Sequence, residues 1–427
     1  METIEAYLER KHEELRLIND CLRTPLPLTC PRSIAEVIRL KFQLTAALKA
    51  EHARYDWTVT ETAWAHPGQR RIGPFEFSYD YQRADLEVRG PSFYELDERT
   101  SAETIYTASG MSAISALLLA STQVAGRADI VVLPGSYGET QELIESYVNH
   151  LRLVTLKPSL QATIDQTSSP RILLLDSCAP ETAFRTALRA TGQALDLLIF
   201  DTTGFCSGSG RIRSALVWAR RRNVPVVMVR SHTKLDSLGA EYGRLGSAAF
   251  VRRGQDAAWA AGSKFRELPP AMRNAVRLLG GAALPAHFPP YTGTSAYRKL
   301  TNKRVAAMLR NGRRTARYFA SVLPHLTAEL HFAHGLYVTL NSRQPLSEAS
   351  ARRAAAEMSD DLGRTGLPIR HAGSFGFDFA ATEWFHNSAT DRYSVRVAVP
   401  DLPTALWDDV ARAIARWWCT HERTVAA

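Results

Sequence analysis

Cysteine is scarce in this chain. The five residues (Cys21, Cys30, Cys178, Cys206 and Cys419) are far apart and form no Cys-x-x-Cys pair. That spacing excludes a disulfide framework and a structural zinc site, and no metal is expected. Long hydrophobic runs are also missing. Ala113–Ala120 spans only eight residues and contains a serine, well short of the ~20 a bilayer requires, so no membrane association is expected. The amino terminus, Met-Glu-Thr-Ile-Glu, is acidic and leads directly into a helical pattern, without the features of a signal peptide. A cytoplasmic protein is the expectation. Neither an internal repeat nor a low-complexity tract is present. Basic residues outnumber acidic ones, giving a net charge of +9. This excess is mostly arginine and diffuse, apart from Arg220-Arg221-Arg222 and Arg252-Arg253. With no basic motif interleaved with aromatics, nucleic acid is not an expected partner. A positive field of this kind suits an anionic small substrate or cofactor.

What remains is an ordinary globular composition, 45% hydrophobic and 22% charged over 427 residues, enough for two domains and a terminal segment. Residues 1–65 read as helices. Ile4, Tyr7 and Leu8, then Leu15, Leu17 and Ile18, recur at helical spacing, and Ser33-Ile34-Ala35-Glu36 has the form of a capping box. Further on, short apolar runs alternate with amphipathic segments. Strands are expected at Ile130–Leu133, Leu153–Leu156, Ile172–Leu175, Leu197–Phe200, Val224–Val229 and Ala248–Val251. Helices are expected at Met111–Thr122, Glu139–Asn149, Glu181–Ala190 and Arg211–Arg222. This alternation predicts an α/β fold with a mostly parallel sheet sandwiched by helices, whose ligands bind at the C-terminal strand ends. Beyond Gly280-Gly281 and a group of prolines, a long helix (Ser295–Val322) opens a smaller α+β region. Its strands are expected at Leu336–Leu340 and Ser394–Val399, and its helices at Leu346–Leu362 and Ala405–Trp418. The expected division is an N-terminal helical arm (1–75), a large α/β domain (76–283) and a small C-terminal α+β domain (284–427).

Four short stretches carry chemistry. Ser231-His232-Thr233-Lys234 follows the buried run Val224–Val229. A lysine there, stripped of water, becomes a nucleophilic amine of the kind that forms a Schiff base with a carbonyl. Ser109-Gly110-Met111-Ser112 opens a helix whose free N–H groups form an anion site. Tyr137, in Leu133-Pro134-Gly135-Ser136-Tyr137-Gly138, offers a ring to a flat ligand. Asp201, in Ile199-Phe200-Asp201-Thr202-Thr203, puts a carboxylate at a strand end, where burial demands a cation. Each also has a plain structural reading: a solvated lysine, an ordinary helix start, a core tyrosine, a turn aspartate.

Taken in order, these elements resemble the fold-type-I pyridoxal-phosphate enzymes, and in detail the cystathionine synthase and lyase group of cysteine and methionine metabolism. The resemblance runs from about Tyr81 to Pro400. It implies an aspartate-aminotransferase-like fold with pyridoxal 5'-phosphate as cofactor. Lys234 would bind the cofactor as a Schiff base and serve as the catalytic base, and Asp201 would pair with the pyridine nitrogen. Tyr137 would stack on the ring and is a second catalytic candidate, with Thr203 on the opposite face. Ser109, Gly110 and Met111 would hold the phosphate, aided by the hydroxyls of Ser231 and Thr233. Tyr81 and Arg83 look like the family's Tyr-x-Arg pair, which reaches the phosphate of a neighbouring subunit; this implies a homo-oligomer, dimer or tetramer. Gly373-Ser374-Phe375-Gly376 resembles the loop bordering the substrate. Arg396 matches the arginine that grips the substrate α-carboxylate through two parallel hydrogen bonds.

The chain departs from the family where the reaction is chosen. Tyr-Gly-Gly-Thr becomes Tyr137-Gly138-Glu139-Thr140, and Asn-Pro-Thr becomes Ala84-Asp85-Leu86. Leu235 replaces the aromatic after the lysine, and Gly-His-Ser becomes Gly239-Ala240-Glu241. Asp176-Ser177-Cys178-Ala179-Pro180 lacks the asparagine that contacts the ring oxygen. A divergent member is therefore expected, acting on an amino acid by β- or γ-elimination or replacement. Transamination is the runner-up. Decarboxylation, aldol-type chemistry and non-catalytic cofactor binding remain open, and the substrate is not named.

Overall fold

The computed structural model describes residues 2–60, 71–78, 87–157, 170–189, 195–253, 259, 263–323, 328–331, 335–387 and 390–425. Two helices open the chain, α1 (Ile4–Asn19) and α2 (Ile34–Thr60), followed by three short strands, β1 (Arg71–Ile72), β2 (Phe75–Ser78) and β3 (Glu87–Arg89). Then come β4 (Thr100–Thr107), α3 (Gly110–Ala125), β5 (Ala128–Val132), α4 (Gly138–Tyr147), β6 (Leu151–Thr155), β7 (Arg171–Asp176) and α5 (Glu181–Arg189). The alternation continues with β8 (Leu197–Asp201), α6 (Gly210–Arg221), β9 (Val226–Ser231), β10 (Gly246–Arg253) and α7 (Leu268–Leu278). The last part holds α8 (Ser295–Val322), β11 (Ala328–His331), β12 (Tyr337–Leu340), α9 (Glu348–Arg364), β13 (Ile369–His371), β14 (Ala380–Asn387), β15 (Arg392–Ala398) and α10 (Thr404–Val425).

By compactness these elements form two units. One comprises Lys49–Thr233 and Tyr242–Gly293; the other comprises Met1–Leu48, Lys234–Glu241 and Thr294–Ala427. The first is built on a seven-stranded sheet in the order β4-β10-β9-β8-β7-β5-β6. The strands β6, β5, β7, β8 and β9 run parallel, and β10 lies antiparallel between β9 and β4. Every residue of β5 and β8 is buried, which is why these strands read as continuous apolar runs rather than alternating ones. Strand β4 has no such run. Its sequence Thr-Ser-Ala-Glu-Thr-Ile-Tyr-Thr is mostly half-exposed, an edge-strand composition that the apolar pattern does not reveal. Ile114, Leu117 and Leu118 of α3 join Ile130, Ile172, Ile199 and Val229 in one core beneath the sheet.

The second unit is organised on a five-stranded sheet, β11-β12-β15-β14-β13, antiparallel except for the β13–β14 pair. Its core gathers Val338, Val395 and Val397 with Met358 of α9 and Trp407 and Trp418 of α10. Tyr7 of α1 belongs to the same core, so the N-terminal helix packs as a component of this unit. Among the described residues, no helix is long and apolar enough to cross a membrane.

Candidate active site

In the first unit the chemistry-bearing residues fall on the loops that leave the C-terminal ends of parallel strands, the position at which such sheets bind ligands. Asp201 is the last residue of β8 and Asp176 the last of β7, and the two are direct partners across the parallel pair. Both are buried. Asp176 accepts hydrogen bonds from the backbone N–H groups of Tyr137 and Cys178, each at 2.7 Å. Asp201 accepts from the N–H of Thr203 at 2.8 Å. These bonds favour the carboxylates but do not dominate. Burial, followed by the charge of Asp201, pushes the Asp176 carboxyl up to about 7. Burial also raises Asp201 above its ordinary value, against the opposing bonds from Thr203 and the charge of Arg230. The pair therefore retains a strong electrostatic demand for a cation.

Around this pair the loops are tied down. Tyr137, half-buried at the start of α4, is held by its backbone to Asp176. Thr203 accepts at Oγ1 from the N–H of Ser231 at 3.0 Å. The hydroxyls of Ser231 and Thr233 lie 3.0 Å apart. The Ser109 hydroxyl caps α3, accepting from the N–H of Ser112 at 3.0 Å, and Met111 is half-buried in the same first turn. Gly110 is required there. A Cβ at this position would stand 2.9 Å from Cβ of Ser231, so the absence of a side chain lets the first turn of α3 lie against the end of β9. Arg230, missed in the sequence because it falls between the apolar run Val224–Val229 and the Ser231–Lys234 stretch, is fully buried and donates to the carbonyls of Thr202 (2.9 Å) and Phe205 (2.7 Å). It thereby braces the loop that follows Asp201. Tyr81 and Arg83 lie outside the described residues.

The second unit holds the other expected groups. Lys234 Nζ donates to Oγ of Ser374 at 2.6 Å, and Glu241 Oε1 is 3.9 Å away. The segment after the lysine is tightly coiled. A short 3₁₀ turn (Leu235–Ser237) leads into Leu238 and Gly239 with φ of 53° and 81°, and Glu241 has φ of 44°. Two non-glycine residues in the left-handed region mark a conformation that its surroundings must enforce. A buried ionic network supplies that enforcement. Lys41 donates to the Leu238 carbonyl at 2.8 Å, and Arg304 donates to the Gly376 carbonyl at 2.7 Å. Glu14, Asp378 and Asp401 balance these cations. Asp378 binds Lys11 (2.6 Å), Lys41 (2.6 Å) and Arg304 (2.5 Å), while Asp401 binds Arg10 (2.6 Å) and Lys11 (2.7 Å). Burial opposes ionisation of all three acids, but the neighbouring positive charges, Arg304 first, outweigh it and hold their carboxyls below the ordinary range. Arg396 on β15 donates through Nε to Glu383 Oε1 at 2.9 Å. Its guanidinium lies 4.5 Å from the Tyr337 ring and 4.6 Å from the Phe385 ring. Among the described residues no group of three or more His, Cys, Asp or Glu is placed to hold a metal ion.

This architecture is that of the fold-type-I pyridoxal-phosphate enzymes, as the sequence resemblance implied. Two of the solved structures that share the fold illustrate the likeness. One, from Campylobacter jejuni, is assigned as an O-acetylhomoserine (thiol)-lyase and carries a pyridoxyl-lysine monophosphate. It matches with a TM-score of 0.51 at 14% identity, over 73% of this chain and 81% of that one. The other, the serine palmitoyltransferase of Sphingomonas wittichii, matches with a TM-score of 0.50 at 14% identity, over 74% of this chain and 72% of that one. At such identity the shared property is the fold. No protein-family model matches the sequence, and none of the curated proteins does so significantly.

Proposed function

We propose that this protein is a pyridoxal-5'-phosphate-dependent enzyme that acts on an amino-acid substrate. The observation that carries the reading is Asp201, a desolvated carboxylate at the C-terminal edge of a central strand, beside a second buried acid. A protonated pyridine nitrogen is the cation that this position suits, and the pairing makes the ring a better electron sink. The surrounding residues fit the same group. The first turn of α3, with Ser109, Gly110 and Met111, presents backbone N–H groups to a phosphate, and Ser231 and Thr233 add hydroxyls. Tyr137 and Thr203 are assigned to the two faces of the ring. Tyr81 and Arg83 are assigned to the phosphate of a neighbouring subunit, which makes the protein a homo-oligomer. When bound, the cofactor stores the electrons released as a bond at the substrate Cα breaks.

The chain's own residues do the rest. Lys234 leaves β9 only three residues after Ser231 and is the amine that holds the cofactor. Its Nζ would take and return the proton at the substrate Cα. Ser374 accepts a hydrogen bond from that amine and would fix its direction while it is free of the cofactor. Arg396 orients the carboxyl end of the substrate, and Tyr137 is the acid or base beside a departing group. Elimination or replacement at Cβ or Cγ is the reaction this reading favours, with transamination second, since the same groups serve both.

A visible absorbance band of the protonated lysine-bound cofactor is expected in cofactor-supplied protein, and Lys234→Ala should lose it. Well-folded wild-type protein without such a band would overturn the proposal. A panel of amino acids, scored for ammonia, keto acid and thioether products, separates the reactions. Amino-group transfer to an added keto acid would put the aminotransferase first.

A further inference from the structure

Arg396 has an acidic partner in its own unit. Glu383 on β14 is directly opposite Arg396 on β15, and the 2.9 Å ion pair they form leaves the side chains only 13% and 11% exposed. The guanidinium is further held between the rings of Tyr337 and Phe385, so it cannot turn away from the acid without losing both stacks. Glu383 also borders the loop that touches the lysine. Its Oε2 is 3.2 Å from where a Cβ on Gly373 would be, and the next residue, Ser374, receives the Lys234 amine. Lysine, serine loop, glutamate and arginine are thus contiguous.

The charge balance of this group limits what it can bind. An arginine that recognises a carboxylate does so with net positive charge and a bidentate face. Here a carboxylate of the chain already takes Nε and neutralises the cation. A second carboxylate arriving at the same guanidinium would stand beside the first in a partly dry setting, where like-charge repulsion is weakly screened. A neutral carbonyl accepts from the guanidinium without that repulsion. Specificity of this kind comes from a built-in repulsive element rather than an added attraction. We infer that Glu383 selects substrates whose carboxyl is un-ionised, an amino-acid ester or amide, over free amino acids. The inference rests on the proposed function and deepens it by naming the substrate class.

The test combines spectroscopy with equilibrium binding. Cofactor-supplied wild-type and Glu383→Gln protein are first checked for the visible band. Calorimetry then gives the affinities of L-alanine, L-alaninamide and L-alanine methyl ester for each. Comparing the amide-to-acid affinity ratio between the two proteins cancels the differing basicity of the amines. The wild type should bind the amide and ester at least about tenfold more tightly than the acid, and Glu383→Gln should move the ratio about tenfold or more toward the acid. A ratio unchanged by the substitution, or a free acid that binds the wild type best and weakens in Glu383→Gln, would overturn the inference and assign Glu383 to orienting Arg396. Tighter binding of the acid by the wild type contradicts it even if the variant does not fold. Absence of the band in folded wild-type protein defeats the cofactor proposal itself, a result distinct from a normal band with the wrong binding order.

Discussion

Two groups of buried acids in this protein have opposite electrostatic fates. In the unit built on the small sheet, Glu14, Asp378 and Asp401 are enclosed with Arg10, Lys11, Lys41 and Arg304, and their carboxyls are held below the ordinary range. In the unit built on the large sheet, Asp176 and Asp201 are equally enclosed but face each other across a strand pair, and theirs are driven up. Burial is common to both, so burial cannot be what distinguishes them. Pairing is. The network has its cations within the chain and serves to hold the segment after Lys234 and the Gly376 turn. At the strand ends Asp176 faces the like charge of Asp201, and the charge of Arg230 does not outweigh the burial of Asp201, an arrangement in which a further cation would be favourable.

Breaking the network should give the largest effect. Asp378→Ala leaves Lys11, Lys41 and Arg304 short of a buried counter-charge, a loss of about 3–5 kcal/mol. Denaturant unfolding of the variant against wild type measures it. An unchanged midpoint would mean that the network is solvated rather than structural.

The two groups also predict opposite responses to pH. A carboxyl whose folded value lies below its unfolded one stabilises above the unfolded value and loses that contribution on acidification; this is the behaviour expected of Asp378, Asp401 and Glu14 below about pH 4. Asp176 is the reverse. Its folded value of about 7 exceeds the ordinary 3.8. The unfolded state therefore binds fewer protons between these limits, and stability falls as pH rises from about 4 to 7. The span of roughly three pH units corresponds to at most about 4 kcal/mol. Asp176→Asn should flatten the decline. The unfolding midpoint followed from pH 4 to 8 checks it, and a wild-type curve that rises over this interval would count against the assignment.

Much of this organisation was legible in the chain because it is local. The strands of the large sheet announce themselves as apolar runs, and the long helix Ser295–Val322 was expected at the bounds observed. Ser109, Tyr137, Asp201 and Lys234 lie within or just beyond the motifs that name them. The hidden parts depend on contacts distant in sequence. Asp176 was visible only as the start of a departing motif, because its importance comes from register with Asp201. Lys11 and Glu14 look like the polar face of a helix, yet both are buried, Lys11 against Asp378 and Asp401, more than 360 residues away, and Glu14 against Arg304. Glu383 was equally silent, since nothing local indicates that it stands opposite Arg396. Strand β4, without an apolar run, was concealed by its composition.

The contrast between the two buried acid groups is tested most directly by infrared spectroscopy of cofactor-free protein titrated from pH 4 to 8, with Asp176→Asn and Asp201→Asn difference spectra assigning the carboxyl signals. An un-ionised carboxyl that persists to about pH 7 and vanishes in Asp176→Asn is the predicted result. If the Asp176 and Asp201 signals instead finish titrating below about pH 4, like ordinary carboxyls, the strand-end pair has no unmet demand for a cation and the account fails.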